Sequence, residues 1–284
     1  MQERIDHNKT WVITCSLKAN DKNGAPYRKL KLQDLETKNS IKVNIFSLEN
    51  FSKSDFRLGN QIRITDSQSF NKRFDNYIVN KFTVEKLGKL GLNEREIEAS
   101  FSELKDYIDK INDMKLKEFI ASLLAEYSEK FRKSPGGLSR HHCYVGGLLT
   151  HTLECLRYAE TLAPHLRNID DDMDSIYAAC ILHDFGKVLE YEIDVESGET
   201  ITDSNFYKKW ITHSQWGYTQ CMAAGFDKVA KMIATHHSRL EWGAVLDLDK
   251  ERHKDKEELE PIYYLMYHID DLSAKFGKTT VLDL

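Results

Sequence analysis

The stretch Ala179-Cys180-Ile181-Leu182-His183-Asp184-Phe185-Gly186-Lys187 decides how the rest of the chain is read. An apolar segment ends in an imidazole and a carboxylate side by side, and a glycine and an ammonium group follow. Adjacent residues on a helix point about 100° apart, so His183 and Asp184 converge on one spot only where a helix crosses a site or ends. Gly186 fits such an end. Outward from this pair the chain places His151 before it and His213, the pair His236-His237 and Asp270 after it, each on or beside a segment with helical patterning. Imidazole nitrogen with carboxylate oxygen suits Mn, Fe, Co, Ni or Zn, whereas all-oxygen sites suit Mg or Ca. The candidate ligands His151, His183, Asp184, His213, His236, His237 and Asp270 exceed what one ion takes while keeping room for water. They point to two divalent transition-metal ions, Mn first, or to one tight and one weak site. Asp184 is the natural bridge, because a carboxylate can span ions about 3.5–4 Å apart.

Helical patterning begins near Asn93-Glu94-Arg95-Glu96, a cap followed by acids at the positive end of a helix. A second helix is expected over 101–131, stopped by Ser134-Pro135-Gly136-Gly137. Further helices are expected near 145–163, 174–185, 214–224, 227–237 and 260–276. The last opens at Pro261, and Ile262, Leu265, Ile269, Leu272 and Phe276 form its apolar face.

Gly146-Gly147-Leu148-Leu149-Thr150-His151-Thr152, His183-Asp184-Phe185-Gly186-Lys187, and His236-His237 with Glu241-Trp242-Gly243 give the chain a family likeness. It resembles the HD superfamily of metal-dependent phosphohydrolases, and within it the YhaM-type 3′→5′ exoribonucleases, in which an OB-fold precedes the HD domain. The resemblance implies one ion held by His151, His183, Asp184 and Asp270, and a second sharing Asp184 with His213, His236 and His237. It further implies a phosphodiesterase that uses a metal-bridged hydroxide, with Asp184 and Lys187 in the catalytic set and Lys187 on a substrate phosphate oxygen. Arg140, His141 and His142 precede the His151 segment, where they would either contact substrate phosphate or cap the helix. Three positions depart from the family pattern. Ser238 stands for a glycine, Thr150 for a glutamate and Ser273 for an acid, and none of these is a ligand.

The first 90 residues read differently. Trp11, Ile13, Cys15 and Leu17 alternate with Val12, Thr14, Ser16 and Lys18, and a turn cluster follows at 21–26. Alternation resumes at Leu30 and Leu32, at Ile41, Val43 and Ile45, at Ile62 and Ile64, and around Tyr77–Phe82. Five short strands with a short helix near 47–56 predict a small OB-like barrel. The fold class is therefore α+β and multidomain: a small N-terminal β-barrel (1–90), a helical linker (91–134) and an all-α HD-type domain (135–284). Residues 1–90 carry 17 Lys and Arg against 10 Asp and Glu, a balance of +7, whereas the remainder carries 23 against 35, a balance of −12. A basic barrel attracts a polyanion, and bound cations make an acidic partner domain tolerable. Phe46, Phe70, Phe74 and Tyr77, among Lys42, Arg63, Lys72, Arg73 and Lys81, are candidates for a stacking platform in a basic groove, with Lys72, Arg73 and Phe74 as its substrate-binding core.

Composition excludes several classes. Hydrophobic residues are 41% and charged residues 30%, which suits a globular chain. No apolar run reaches the ~20 residues a bilayer needs, and the N-terminus lacks the apolar core of a signal peptide. Five scattered cysteines without Cys-x-x-Cys spacing read as reduced thiols of a cytoplasmic protein. The expected partner is single-stranded nucleic acid, RNA ahead of DNA, with no membrane and with homo-oligomerisation left open. Two other readings remain: a phosphohydrolase of small nucleotides or cyclic dinucleotides, and a non-catalytic nucleic-acid-binding adaptor.

Overall fold

A computed structural model describes residues 4–138, 141–166, 169, 172–202, 211–248 and 261–277. The described residues divide into two compact units: one holding those up to Gly91 together with 193–200, the other holding those of 92–192 and of 201–277.

The first unit is a closed five-stranded barrel. Its strands are β1 (Thr10–Asn20), β2 (Pro26–Asp34), β3 (Ser40–Ile45), β4 (Gln61–Ser67) and β5 (Tyr77–Lys86), with two 3-10 turns at Leu48–Asn50 and Lys53–Phe56. The order around the barrel is β1-β2-β3-β5-β4, closed by antiparallel pairing of β1 with β4, while β3 and β5 run parallel. This is the OB-like barrel that the alternation predicts, with Ile13, Leu32, Ile45, Ile62 and Ile64 buried at its centre.

One strand departs from simple alternation. Ile13 pairs with Leu32 but Cys15 pairs with Lys31, so Thr14 is an extra residue, a bulge that reverses the facing of everything after it. Leu17, expected inside with Ile13, pairs instead with Lys29 and is 38% exposed.

At the end of β2 the buried Asp34 carboxylate accepts hydrogen bonds from the backbone of Glu36 (2.9 Å) and Thr37 (3.3 Å), from the Thr37 hydroxyl (2.9 Å) and from the Lys9 ammonium. One carboxylate thereby fixes the β2–β3 turn and ties the segment before β1 to it.

The second unit is helical: α1 (Glu94–Asp109), α2 (Met114–Lys133), α3 (Gly147–Leu162), α4 (Met173–Leu182), the short α5 (Lys187–Glu190), α6 (His213–Ala223), α7 (Asp227–Thr235) and α8 (Pro261–Phe276). A two-stranded ribbon, β6 (Tyr191–Ile193) with β7 (Thr200–Thr202), is added to the expected helices. The single helix expected over 101–131 is two. The chain breaks at Asn112-Asp113, where the Asp113 side chain accepts from the backbone of Lys115 and Leu116, and Asp174 of α4 accepts from the backbone of Asn112 (3.0 Å) and Asp113 (2.8 Å). The segment assigned to a linker, 91–134, supplies Phe101, Leu104, Ile120 and Phe131 to the core that α3, α4, α7 and α8 also build. Helix α4 is buried without a break from Ile176 to Leu182, as a helix apolar on all sides must be. It is the central rod, and it ends at His183.

The Lys9–Asp34 contact holds the Asp34 carboxyl below the usual carboxylate range. A depressed carboxyl pKa stabilises the fold above the unfolded value of about 3.9, and that stabilisation is lost as the pH falls further. Asp34→Asn should therefore lower the melting temperature of the barrel at pH 7. The difference from wild type should shrink in melts below about pH 4; a gap independent of pH would assign the effect to the turn geometry alone.

Candidate metal centre

The seven sequence-predicted ligands come from five places in the helical unit and meet in its interior. His151 lies on α3, His183 and Asp184 follow α4, His213 opens α6, His236 and His237 follow α7, and Asp270 lies on α8. The Thr212 side chain caps α6 by accepting from the backbone of Gln215, which fixes where the helix begins and so where His213 sits. The turn after α4 is shaped by Gly186: a Cβ there would stand 2.7 Å from the Cα and 2.8 Å from the carbonyl oxygen of His213. The glycine lets the His183-Asp184 turn approach α6 closely. Phe185 is fully buried between Phe131 and Trp216, with ring centroids 5.0 and 5.9 Å away, and this stack pins the turn from behind.

The donor atoms fall into two groups about Asp184. Its Oδ2 lies 3.3 Å from His151 Nε2 and 3.5 Å from His183 Nε2, while Asp270 Oδ1 is 3.1 and 3.8 Å from the same two nitrogens. Its Oδ1 faces the other way, 3.3 Å from His213 Nε2 and 3.9 Å from His236 Nε2. His237 completes this second group, whose donor atoms all lie within 4.8 Å of one another. Cys155, fully buried one turn after His151, joins the first group, with Sγ 3.8 Å from His151 Nε2. Patterning along the chain gave no reason to single it out.

Hydrogen bonds fix which nitrogen each ring presents. His183 Nδ1 donates to the carbonyl of Cys180 (3.0 Å), His236 Nδ1 to that of Ile233 (2.6 Å) and His213 Nδ1 to Glu190 Oε2 (2.7 Å), while His151 Nδ1 meets Ser273 Oγ at 2.8 Å. A neutral ring that donates from Nδ1 carries its lone pair on Nε2. When the rings are neutral, lone pairs point at lone pairs: His151 Nε2 and His183 Nε2 are 3.1 Å apart. In the second group, Asp184 Oδ1, His213 Nε2, His236 Nε2 and His237 Nδ1 are buried without a hydrogen-bond partner. Such atoms are costly unless something positive lies among them. Donors about 2.1 Å from one cation stand about 3–3.5 Å apart, close to the separations here. The donor set fits divalent cations.

The electrostatics agree. Burial opposes charge on His151, yet Cys155, Asp184 and Asp270 around it hold its pKa well above the ordinary value. Burial also opposes ionisation of Asp184, but Lys187 and the surrounding histidines keep it a carboxylate. Burial pushes His237 down to about 4 and His236 well below its ordinary value, so both stay neutral, the form that binds metal.

The predicted substrate contacts fare unevenly. Lys187 is buried, and its ammonium donates to Asp184 Oδ2 (2.5 Å) and to the carbonyl of Gly136 (2.7 Å). Its partners within the chain are thus the Asp184 carboxylate and the backbone. His141 and His142 adjoin the first group, with ring centroids 5.6 and 5.2 Å from that of His151, and burial pushes His141 down to about 3. Arg140 lies outside the described residues. On the barrel, Tyr77 is core and Phe70 packs against it, whereas Phe46 and Phe74 are exposed. Those two line a groove of about 750 Å³ with Leu17, Tyr27, Lys29, Lys31 and Lys42, and Phe46 stacks on Tyr27 at 4.8 Å. Lys72 and Arg73 are exposed on the β4–β5 loop, and the Arg73 guanidinium lies 5.3 Å from the Phe74 ring centre. Arg63 pairs with Glu85 at 2.6 Å, and neither it nor Lys81 borders the groove. Tyr27 and Leu17 were missed because only the bulge in β1 and the stack reveal them.

Comparison with known proteins agrees with this geometry. The HD domain family model matches residues 148–275. Similar proteins include one named 3′-5′ exoribonuclease YhaM from Listeria monocytogenes, 23% identical over 82% of this chain and 77% of its own length. One of the same name from Bacillus velezensis is 22% identical over 96% and 85%, and one from Halalkalibacterium halodurans is 28% identical over 50% and 45%. No solved structure matches the chain. Every one of the converging His and Asp residues lies within residues 148–275, the span that the HD domain family model matches.

Proposed function

We propose that this chain is a metal-dependent phosphodiesterase, a 3′→5′ exonuclease acting on single-stranded RNA. The observation that carries the reading is the set of four buried imidazoles with Nδ1 anchored and Nε2 converging on the two oxygens of Asp184. The likeness to proteins named 3′-5′ exoribonuclease supports the choice of substrate. His151, His183, Asp184 and Asp270 would hold one ion, and Asp184, His213, His236 and His237 a second. When bound, the two ions supply Lewis acidity toward a phosphodiester oxygen and lower the pKa of water.

The protein's own groups do the rest. Lys187 holds Asp184 oriented between the two ligand groups, and Glu190 orients His213. Arg239 and Trp242, both exposed, follow His237 closely, with the guanidinium 4.8 Å from the indole centre. They would offer charge and a stacking face to a terminal nucleotide. In the barrel, the Phe46–Tyr27 pair and Phe74 would stack bases while Lys29, Lys31 and Lys42 follow the phosphates.

The deciding experiment uses metal-free protein and end-labelled RNA and DNA. Chelated protein should be inactive, and Mn should restore activity better than Mg because imidazoles outnumber carboxylates in the site. Full activity with Mg and no bound transition metal would rule out the ligand assignment.

Lys187 and Asp184 separate by stability. Removing one member of a buried ion pair costs about 3–5 kcal/mol. Lys187→Met should lose that much in metal-free protein by denaturant titration and bind Mn more weakly. Unchanged stability and metal content would return Lys187 to the substrate.

Phe46→Ala with Phe74→Ala should weaken binding of single strands by about 1–3 kcal/mol per lost stack. Hydrolysis of a nitrophenyl phosphodiester should be spared. Equal RNA affinity in the double variant would favour a small nucleotide as substrate.

A further inference from the structure

Three of the anchored imidazoles have an unambiguous acceptor on Nδ1: a backbone carbonyl for His183 and His236, a carboxylate for His213. His151 does not. Its Nδ1 meets the hydroxyl of Ser273, and a hydroxyl can either accept or donate. If Ser273 donated to Nδ1, the ring proton would move to Nε2, the atom that faces His183, Asp184 and Asp270. That tautomer cannot ligate from Nε2.

Glu154 removes the ambiguity. It lies on α3, three residues after His151, and is buried. Ser273 Oγ donates to its Oε2 at 2.7 Å. The hydroxyl proton is thereby committed to the carboxylate, and the oxygen is left to accept from His151 Nδ1–H. The same Oε2 lies 3.2 Å from His142 Nε2, at a residue held in left-handed backbone (φ +50°). A buried carboxylate is expensive unless its bonds serve something. None of the seven ligands explains this one.

We propose that Glu154 is a positioning residue for the first ligand group: through Ser273 it locks His151 as the Nδ1–H tautomer, and so sets the affinity of that group for a divalent cation. The proposal rests on the ligand assignment made above. Outer partners of this kind are worth about 10–100-fold in metal affinity. Glu154→Gln is the informative change, because it keeps the shape but offers an amide that can donate to Ser273 and reverse the direction of the chain. Ser273→Ala removes the link to His151 without touching the contact between Glu154 and His142.

The test titrates metal-free wild type, Ser273→Ala, Ser273→Thr, Glu154→Gln and the Ser273→Ala/Glu154→Gln double variant with MnCl2 in a calorimeter. Circular dichroism first shows each to be folded. Ser273→Ala and Glu154→Gln should each weaken Mn binding about 10–100-fold. The double variant should be no weaker than the worse single, because both changes break one chain. Ser273→Thr keeps the hydroxyl and should bind as wild type does. Wild-type affinity in Ser273→Ala, or losses that simply add, would overturn the relay while leaving the ligand assignment standing. A wild type that binds no Mn would overturn the ligand assignment itself, and the relay with it. Should Glu154→Gln fail to fold, the Ser273 pair still decides.

Discussion

A carboxylate shared by two faces of imidazoles is the constraint on which the helical unit depends. Asp184 presents Oδ2 to His151 and His183 and Oδ1 to His213 and His236, deep in the interior. Burying an anion with several lone pairs turned toward it is unfavourable on every count except one, the presence of positive charge among them. The Lys187 ammonium, hydrogen-bonded to Oδ2, supplies part of that charge. The raised pKa of His151 shows the same demand met by a proton. A divalent cation meets it more fully, and the fold is arranged so that each ring offers the correct nitrogen. Ions held there would couple binding to folding, because the cost of assembling five helical segments around Asp184 would be offset by what they hold.

The scaffold gives precision to this arrangement by spending its rigid parts on orientation. Helix α4 is buried on all sides and delivers His183 from its last turn, so that ring cannot rotate without moving the core. Phe185 is clamped between two aromatic rings directly behind Asp184. Gly186 allows α6 to come close enough for His213 to reach the carboxylate. His151, His183, His213 and His236 each have a second contact behind the ring, and those contacts are carbonyls, a glutamate and a hydroxyl, the last held by Glu154 of α3. Displacing one helix would release a tautomer as well as a position.

Much of this was legible before any coordinates. The seven converging residues announce themselves as paired and isolated His and Asp beside helical patterning, because metal chemistry restricts residue type. The strands announce themselves because barrel interiors impose a period of two. What failed to show had no periodic signature. The bulge at Thr14 turns Leu17 outward by adding a residue, and alternation by itself cannot report an insertion. The break between α1 and α2 was carried by Asn112-Asp113, a capping pair hidden inside an otherwise continuous helical pattern. The contact of Lys187 with Asp184 is likewise invisible in the sequence, because it depends on burial after the turn that follows α4. Glu154, Glu190 and Ser273 are ordinary polar residues on helices, and only their distance to a ring nitrogen gives them meaning.

The two units solve opposite electrostatic problems on one chain. The barrel keeps an excess of cations on an exterior where a polyanion can release counterions, and it leaves Phe46 and Phe74 unburied among lysines. The helical unit gathers carboxylates and neutral imidazoles inward, where a phosphate would be repelled unless cations intervened. Cations in the interior site are therefore what would make the acidic unit hospitable to the same ligand the basic unit attracts. Under the proposed function, the +7 and −12 balances of the two parts of the chain would be complementary means of handling phosphate, one through fixed side chains and the other through ions that Asp184 and its histidines would hold.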